Sequence, residues 1–505
     1  MSSTVAVVEV LDRFKLPAAT AALAAFVLYK LLSRSKRLPP GPKAKLIIGN
    51  AHQMPRTEGW KTYAKWAKEY GNIVYLNVLG RNVVILSSFD AVTDLFSKRA
   101  PIYSDRPQLW MYGKLMRRET AVFNITTEDR RFKLYRRIMQ GSLNPRSARD
   151  YWPIQEYHTH VMLHRLLQDP ENFAALVRRN TVSVIMRIVY GYDVVGDKDE
   201  FVSNIEESIR LAGIGSQAGR WLVDSLPWLR FFPSWFPGMQ FKRLAKEWAA
   251  QMEQMARSPY NWTRKQLSAG TARPCFVSEH TADADEDSLI TVASGIYAGA
   301  ADTVASTMIA YFKYMIENPE VQRKAQEEID RVVGKDRLPN MGDKEGLPYV
   351  NNVIRELLRN APPAPLGLPH RLMRDDEYNG YILPGGSIVY ANIWALMHDE
   401  TMYPEPFTFN PDRYNVANAP QDPHDWVFGF GHRVCPGLHF AEATLFLGVS
   451  NMLSSLEVTP AADGSLPSNE FMTGIISHPK PFKCTIKARR PGVDTLIGHL
   501  LEREL

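Results

Sequence analysis

The sequence predicts a mainly α-helical protein with small β-sheets, built as one large unit. Three observations carry this reading. Apolar residues recur at the helical period over several segments, β-branched runs are few and short, and no Gly/Ser linker, charge block or low-complexity tract interrupts the chain after residue 45. With 505 residues, 45% of them hydrophobic, there is material for a large core. The three cysteines, Cys275, Cys435 and Cys484, are too few for a disulfide framework and lack the paired spacing of a zinc site. A net charge of +6 points to nucleic acid, an anionic membrane or an acidic partner. No nucleic-acid motif accompanies it, so the last two lead.

In chain order, residues 16–32 read as a transmembrane anchor helix, at the short end of the spanning range. Glu9 and Asp12 offset Arg13 and Lys15 before it, whereas Lys30, Arg34, Lys36, Arg37, Lys43 and Lys45 follow it. The positive-inside bias therefore leaves residues 1–15 lumenal and everything after the anchor cytoplasmic, and argues against a cleaved signal peptide. Residues 33–42 form a basic, proline-rich linker, because Pro39, Pro40 and Pro42 lock φ and forbid helix. A body at 43–490 and a tail at 491–505 complete the organisation. Residues 70–79 and 82–86 are β-branched and read as a hairpin turning at Gly80, Arg81 and Asn82. Helical periodicity marks 161–167, 182–189, 244–255 and 289–316, and Asn318, Pro319 and Glu320 open a further helix over 318–333. A helix covers 350–359, strands are expected at 378–383 and 387–391, and an apolar helix at 438–452.

The decisive passage runs Phe428, Gly429, Phe430, Gly431, His432, Arg433, Val434, Cys435, Pro436, Gly437. A lone cysteine in apolar surroundings is usually an inert buried thiol. Here Gly429 and Gly431 allow a tight backbone that can approach a flat ligand. Pro436 suits a first helical turn, which would place Cys435 at a helix amino end where a thiolate is favoured. A thiolate on haem iron pushes electron density towards bound dioxygen and favours O–O cleavage.

This loop resembles the haem loop of the cytochrome P450 family, F-x-x-G-x-R-x-C-x-G. Phe428, Gly431, Arg433, Cys435 and Gly437 occupy every fixed position. At ordinary residue frequencies a chance match in such a chain is roughly one in ten thousand. The resemblance implies the P450 fold, haem b, and Cys435 as axial iron ligand. It extends to Glu356 and Arg359, three apart on one helix face and similar to the family's E-x-x-R, with Arg413 joining them from a P-x-R segment in a structural role. Gly299, Ala300, Ala301, Asp302 and Thr303 resemble the family's [AG]-G-x-[DE]-T, which implies Asp302 and Thr303 as the proton-handling pair at the oxygen site. Ala300 stands where the family has glycine. Arg433, Arg106 of the S-x-R-P segment, His370 of the P-H step and Arg136 of the W-x-x-x-R segment are the implied propionate anchors, with Phe132 replacing the tryptophan.

The resemblance is closest to fungal biosynthetic members and covers nearly the whole chain. It implies an endoplasmic-reticulum monooxygenase, single-pass with its body on the cytoplasmic side. Its substrate would be a small lipophilic metabolite, terpenoid or polyketide-like, and neutral given the apolar segments expected to line the pocket (107–123, 211–221, 296–303, 364–368 and 471–476). Electrons would come from NADPH through the cytochrome P450 reductase, with cytochrome b5 as a second donor. Arg130, Lys133 and Arg137 form a basic stripe, about 130° round the helix from Phe132, Arg136 and Met139, where that acidic partner would dock. Two rival readings remain open: a haem-thiolate isomerase or dehydratase that uses no dioxygen, and a non-catalytic haem sensor or carrier. An intact Asp302–Thr303 pair argues against both.

Overall fold

The structure, a computed structural model, describes residues 37–196, 199–217 and 219–503. The expected anchor at 16–32 and the segment before it lie outside the described residues. Helix α1 (Gly59–Tyr70) ends at Gly71, whose φ of +102° stops the helix, so the expected strand starts later than residue 70. Strand β1 (Ile73–Val78) pairs antiparallel with β2 (Arg81–Leu86), with Val78 opposite Arg81. The hairpin turn is therefore Leu79 and Gly80, one residue earlier than expected. Both adopt positive φ, the twist that a two-residue hairpin demands.

Nearly all the remaining regular structure is helical. The longer helices are α2 (Arg130–Leu143), α3 (Trp152–Gln168), α4 (Phe173–Tyr190), α5 (Glu200–Ser216) and α6 (Gln240–Ser268). They continue with α7 (Glu286–Glu317), α8 (Pro319–Val332), α9 (Pro348–Asn360), α10 (Leu438–Ser455) and α11 (Val493–Arg503). Each helical segment predicted from periodicity falls within one of these, apart from an end residue or two of 318–333. Most of the observed helices run longer than the periodic segments, and α7 starts where Asp285 accepts from the Ser288 amide at 2.9 Å.

Helix α7 is apolar almost all round and packs against α4, α9 and α10, as an interior helix must. Among the described residues it alone is long and apolar enough to cross a membrane, and its burial marks it as core. The residues expected as a tail instead carry α11, which buries Val493 and Ile497 in the same core as α7, α9 and α10.

The largest sheet has the order β1-β2-β6-β3, with β6 (Ile388–Ala391) parallel to β2 and β3 (His370–Arg371) antiparallel to β6. The single strand expected at 378–383 is a second hairpin, β4 (Asp376–Tyr378) and β5 (Tyr381–Leu383), turned by Asn379 and Gly380 at positive φ. A third pair, β7 (Leu456–Pro460) with β8 (Cys484–Ala488), was not expected. This fold is mainly α with small sheets, as predicted.

Candidate active site

The loop before α10 closes on itself through the Cys435 amide, which donates to the Phe428 carbonyl at 2.8 Å. Phe428 stacks on His424 with ring centroids 5.6 Å apart. Gly431 sits at φ +53°, and a Cβ there would meet the Phe96 carbonyl oxygen at 2.4 Å, so only glycine fits. Gly437 is the N-cap of α10, and its amide points at the Cys435 sulfur. A Cβ on Gly437 would stand 3.9 Å from that sulfur. The expected placement of Pro436 needs correcting, since α10 starts at Leu438 and the proline precedes the cap. Burial pushes the Cys435 thiol up, while the Gly437 amide and the Arg136 guanidinium pull the other way without prevailing. The Gly437 amide at the helix end thus acts in the direction expected from the sequence, against burial. Coordination to a cation would deprotonate the sulfur.

Cations gather round this loop. Arg433 donates to the carbonyls of Ser104 at 2.8 Å and Ile125 at 2.6 Å, and its guanidinium lies 4.3 Å from the centroid of the Phe132 ring. Phe132 thus supports Arg433 through cation–π contact where a tryptophan would have offered an N–H. Arg136 donates to the Val434 carbonyl at 2.8 Å. Arg106 donates to the carbonyls of Leu368 and Pro369 at 2.8 and 2.7 Å, and its buried Nε has no hydrogen-bond partner. Burial lowers all three: Arg433 to about 10, Arg136 below its usual value, and Arg106 well below the usual range, with Arg433 adding repulsion to Arg106 and the buried Asp105 carboxylate pulling Arg433 and Arg106 back up. Among the described residues none of the three has a carboxylate partner; Asp105 is held by Arg371 at 2.6 Å instead. His370 stacks on Phe96 at 4.1 Å and its Nδ1 meets the Tyr103 carbonyl at 2.7 Å. Burial, then Arg106, depress it far below the usual imidazole value, so it is neutral, with its proton on Nδ1.

Three desolvated guanidiniums paired only with carbonyls are costly unless an anion joins them. A dianionic planar group seated over the Cys435 sulfur meets that need, so these residues fit haem with its two propionates.

Behind this cluster, Glu356 and Arg359 are fully buried and Arg413 nearly so. Arg359 grips Glu356 in a two-pronged pair at 2.9 and 2.8 Å and donates to the Met397 and Pro406 carbonyls, both at 2.7 Å. Arg413 reaches the same carboxylate at 3.1 Å and the Pro404 carbonyl at 2.7 Å. Helix α9 is thereby tied to the chain entering the cysteine loop.

On α7, the Thr303 hydroxyl donates to the Gly299 carbonyl at 2.8 Å. The Thr181 hydroxyl of α4 donates to the Ala301 carbonyl at 2.9 Å. The helix stays continuous past Ala300. Asp302 accepts from Arg178 of α4 at 2.8 Å and from His478 at 3.0 Å. Burial raises its carboxyl, but the two donors outweigh it and the net direction is down. Sequence reasoning missed both partners, which lie far away in the chain. Val122 and Phe123, within the 107–123 segment expected to line the pocket, lie against Gly295 and Gly299; a Cβ on either glycine would press into them at 2.6 and 3.2 Å.

The profile of the cytochrome P450 family matches residues 39–486. The chain is 37% identical over 489 residues to cytochrome P450 monooxygenase 208 of Postia placenta, covering 94% of this chain and 95% of the relative. It is 36% identical over 485 residues to cytochrome P450 monooxygenase claR of Ampulloclitocybe clavipes (94% and 90% covered) and 38% identical over 481 residues to claT of the same fungus (92% and 94%). Read with the cysteine loop, its ring of cations and the buried Glu356–Arg359 pair, these matches establish that the chain belongs to the cytochrome P450 family and is a haem-thiolate monooxygenase.

Proposed function

We propose that the chain hydroxylates or oxidises a small lipophilic metabolite, terpenoid or polyketide-like, in secondary metabolism. It would use dioxygen and electrons passed from NADPH by the membrane-bound cytochrome P450 reductase, with cytochrome b5 as a second donor. The observation that carries this is the set of cations round Cys435, none of which has a carboxylate as hydrogen-bond partner among the described residues. Bound haem b supplies the activation of dioxygen and the insertion of one oxygen atom into a C–H bond.

The chain's own residues would do the rest. Cys435 holds the iron, and Arg433, Arg136 and Arg106 neutralise the propionates. His370 would have to take up a proton at its free nitrogen before it could donate to a propionate. Thr303 keeps hydroxyl lone pairs free while it donates to Gly299, so it can receive a proton from one side of α7. Asp302 holds the next proton position, reached from solvent past Arg178 and His478. Phe123, pressed on Gly299, would bound the substrate, in keeping with a lipophilic ligand.

Exposed Arg130, Lys133 and Arg137 on α2 suit an acidic reductase. Exposed Trp228, Phe231, Trp235 and Phe236 form an apolar stretch suited to a bilayer surface. Both fit a body held on the cytoplasmic face of the endoplasmic reticulum by a single anchor.

The test is to express the full chain with a fungal reductase in microsomes and screen a metabolite panel under isotopically heavy dioxygen. Expected are a red-shifted carbon monoxide band and NADPH-dependent products carrying one heavy oxygen atom, both products and coupling being reduced in Thr303→Ala. Products formed without NADPH or dioxygen would mark an isomerase or dehydratase and overturn the proposal.

A further inference from the structure

The short helical segment Trp110–Leu115 packs against elements that follow it by a hundred residues or more. Met111 and the next buried methionine, Met116, join Leu211 of α5, Val223, and Phe241 and Met252 of α6 in a small apolar core of their own. Gly215 of α5 makes room for this approach. A Cβ there would meet the Met116 sulfur at 2.7 Å and the Tyr112 ring at 3.2 Å, so a larger residue would have to displace both. Two further contacts fasten the segment. Asp224, buried in the short helix Leu222–Ser225, accepts from the Met111 amide at 2.9 Å. The Arg230 guanidinium lies 3.8 Å from the centroid of the Trp110 ring. A buried carboxylate is costly unless N–H groups satisfy it, so Asp224 resists any movement that takes it from Met111.

This clamp reaches the candidate active site. The Arg118 and Glu119 amides donate to the Gly113 carbonyl at 2.8 and 3.0 Å, so residues 110–116 carry the 117–123 segment with them. Val122 and Phe123 of that segment lie on Gly295 and Gly299 of α7, and Gly299 is the residue whose carbonyl the Thr303 hydroxyl meets. At the other end, α6 leaves the small core after Met252 and enters a larger one at Ala256 and Tyr260. Pro259 falls in this stretch and removes a helical N–H, leaving a point about which the roof can flex.

We propose that Asp224 is a positioning residue, which clamps residues 110–116 to the α5–α6 unit so that roof and wall open and close over α7 as one body. Ligand entry then requires both to move together, and Asp224 acts through Met111 and Gly113 on the seat of Phe123 beside Thr303. The inference rests on the monooxygenase function proposed above only for the chemistry that this body covers.

The test is hydrogen exchange of full-length, haem-loaded protein, with and without clotrimazole, a bulky azole that ligates haem iron. In the unmodified protein the azole should change exchange over 110–116 and 222–232 together. Asp224→Ala should raise exchange over 110–116 by about tenfold or more, the scale of a hydrogen bond to a charged group, and leave α9 and α10 unchanged. It should also speed clotrimazole association, followed by haem absorbance, and keep the carbon monoxide band. Asp224→Asn, which retains a carbonyl acceptor, should restore most of both. Unchanged exchange over 110–116 in the Ala variant, or an azole response confined to one of the two segments, overturns the proposal. Should the Ala variant fail to fold, the azole response of the unmodified protein decides alone. Absence of the carbon monoxide band from the unmodified protein would instead overturn the haem-thiolate reading, and exchange in Asp224→Ala would still decide the clamp.

Discussion

The imidazole of His478 reaches the Asp302 carboxylate at 3.0 Å, joining the segment ahead of β8 to the middle of α7. Arg178 takes the same oxygen from α4 at 2.8 Å. Burial alone would raise the Asp302 carboxyl, and only these donors bring it below its ordinary value. The ionised group therefore adds stability above the unfolded carboxylate pKa of about 3.9, and that contribution is lost as pH falls through the lower folded value.

His478→Phe should remove one donor and let burial act against Arg178 alone. The Asp302 pKa should then rise, and the acid limb of product formed per NADPH consumed should move to higher pH. Stability at neutral pH should fall by about 1.5–3 kcal/mol, the range for a hydrogen bond to a charged group. His478→Asn, which keeps an N–H, should restore much of both. An unmoved acid limb in the Phe variant would dissociate His478 from proton handling.

Glu356 accepts from Arg359 twice, and from Arg413, Tyr414, the Asn410 amide and Asn360. Removing it strands two buried guanidiniums, a change that costs about 3–5 kcal/mol. Glu356→Ala should therefore yield little haem-bearing protein. Arg359→Lys should also lower the yield, because one ammonium cannot replace the two-pronged pair and the links to Met397 and Pro406 together. Soluble yield and the haem absorbance ratio check both. A normal holoprotein from Glu356→Ala would show that this network does not hold the core.

What the sequence made legible was chemistry that needs its residues close together. The cysteine loop must pack glycine, arginine and thiol into ten positions, and Glu356 must find Arg359 one helical turn away. The Asp302 partners were illegible because α4 and the segment before β8 meet α7 only in three dimensions, and neither Arg178 nor His478 carries a local sign. The β7–β8 pair was overlooked although Thr485 and Lys487 alternate with Cys484, Ile486 and Ala488 at the period of a strand. The start of α10 at Leu438 was read correctly, and only the place of Pro436 in its first turn was not, because a proline suits the approach to a helix as well as that turn.

Lys133 and Arg137 are exposed on α2, on the helix whose Arg136 touches the cysteine loop through the Val434 carbonyl. An acidic reductase docking there would stand close to the sulfur side of the site, and charge complementarity would act mainly on its association rate. Lys133→Glu with Arg137→Glu replaces attraction by repulsion without touching a buried group. Reduction by the reductase should slow about tenfold or more at low salt, and the difference should shrink as ionic strength screens it. Chemical reduction with dithionite should give the same carbon monoxide band in variant and parent, separating docking from folding. Equal rates of enzymatic reduction at low salt would place the reductase on another face.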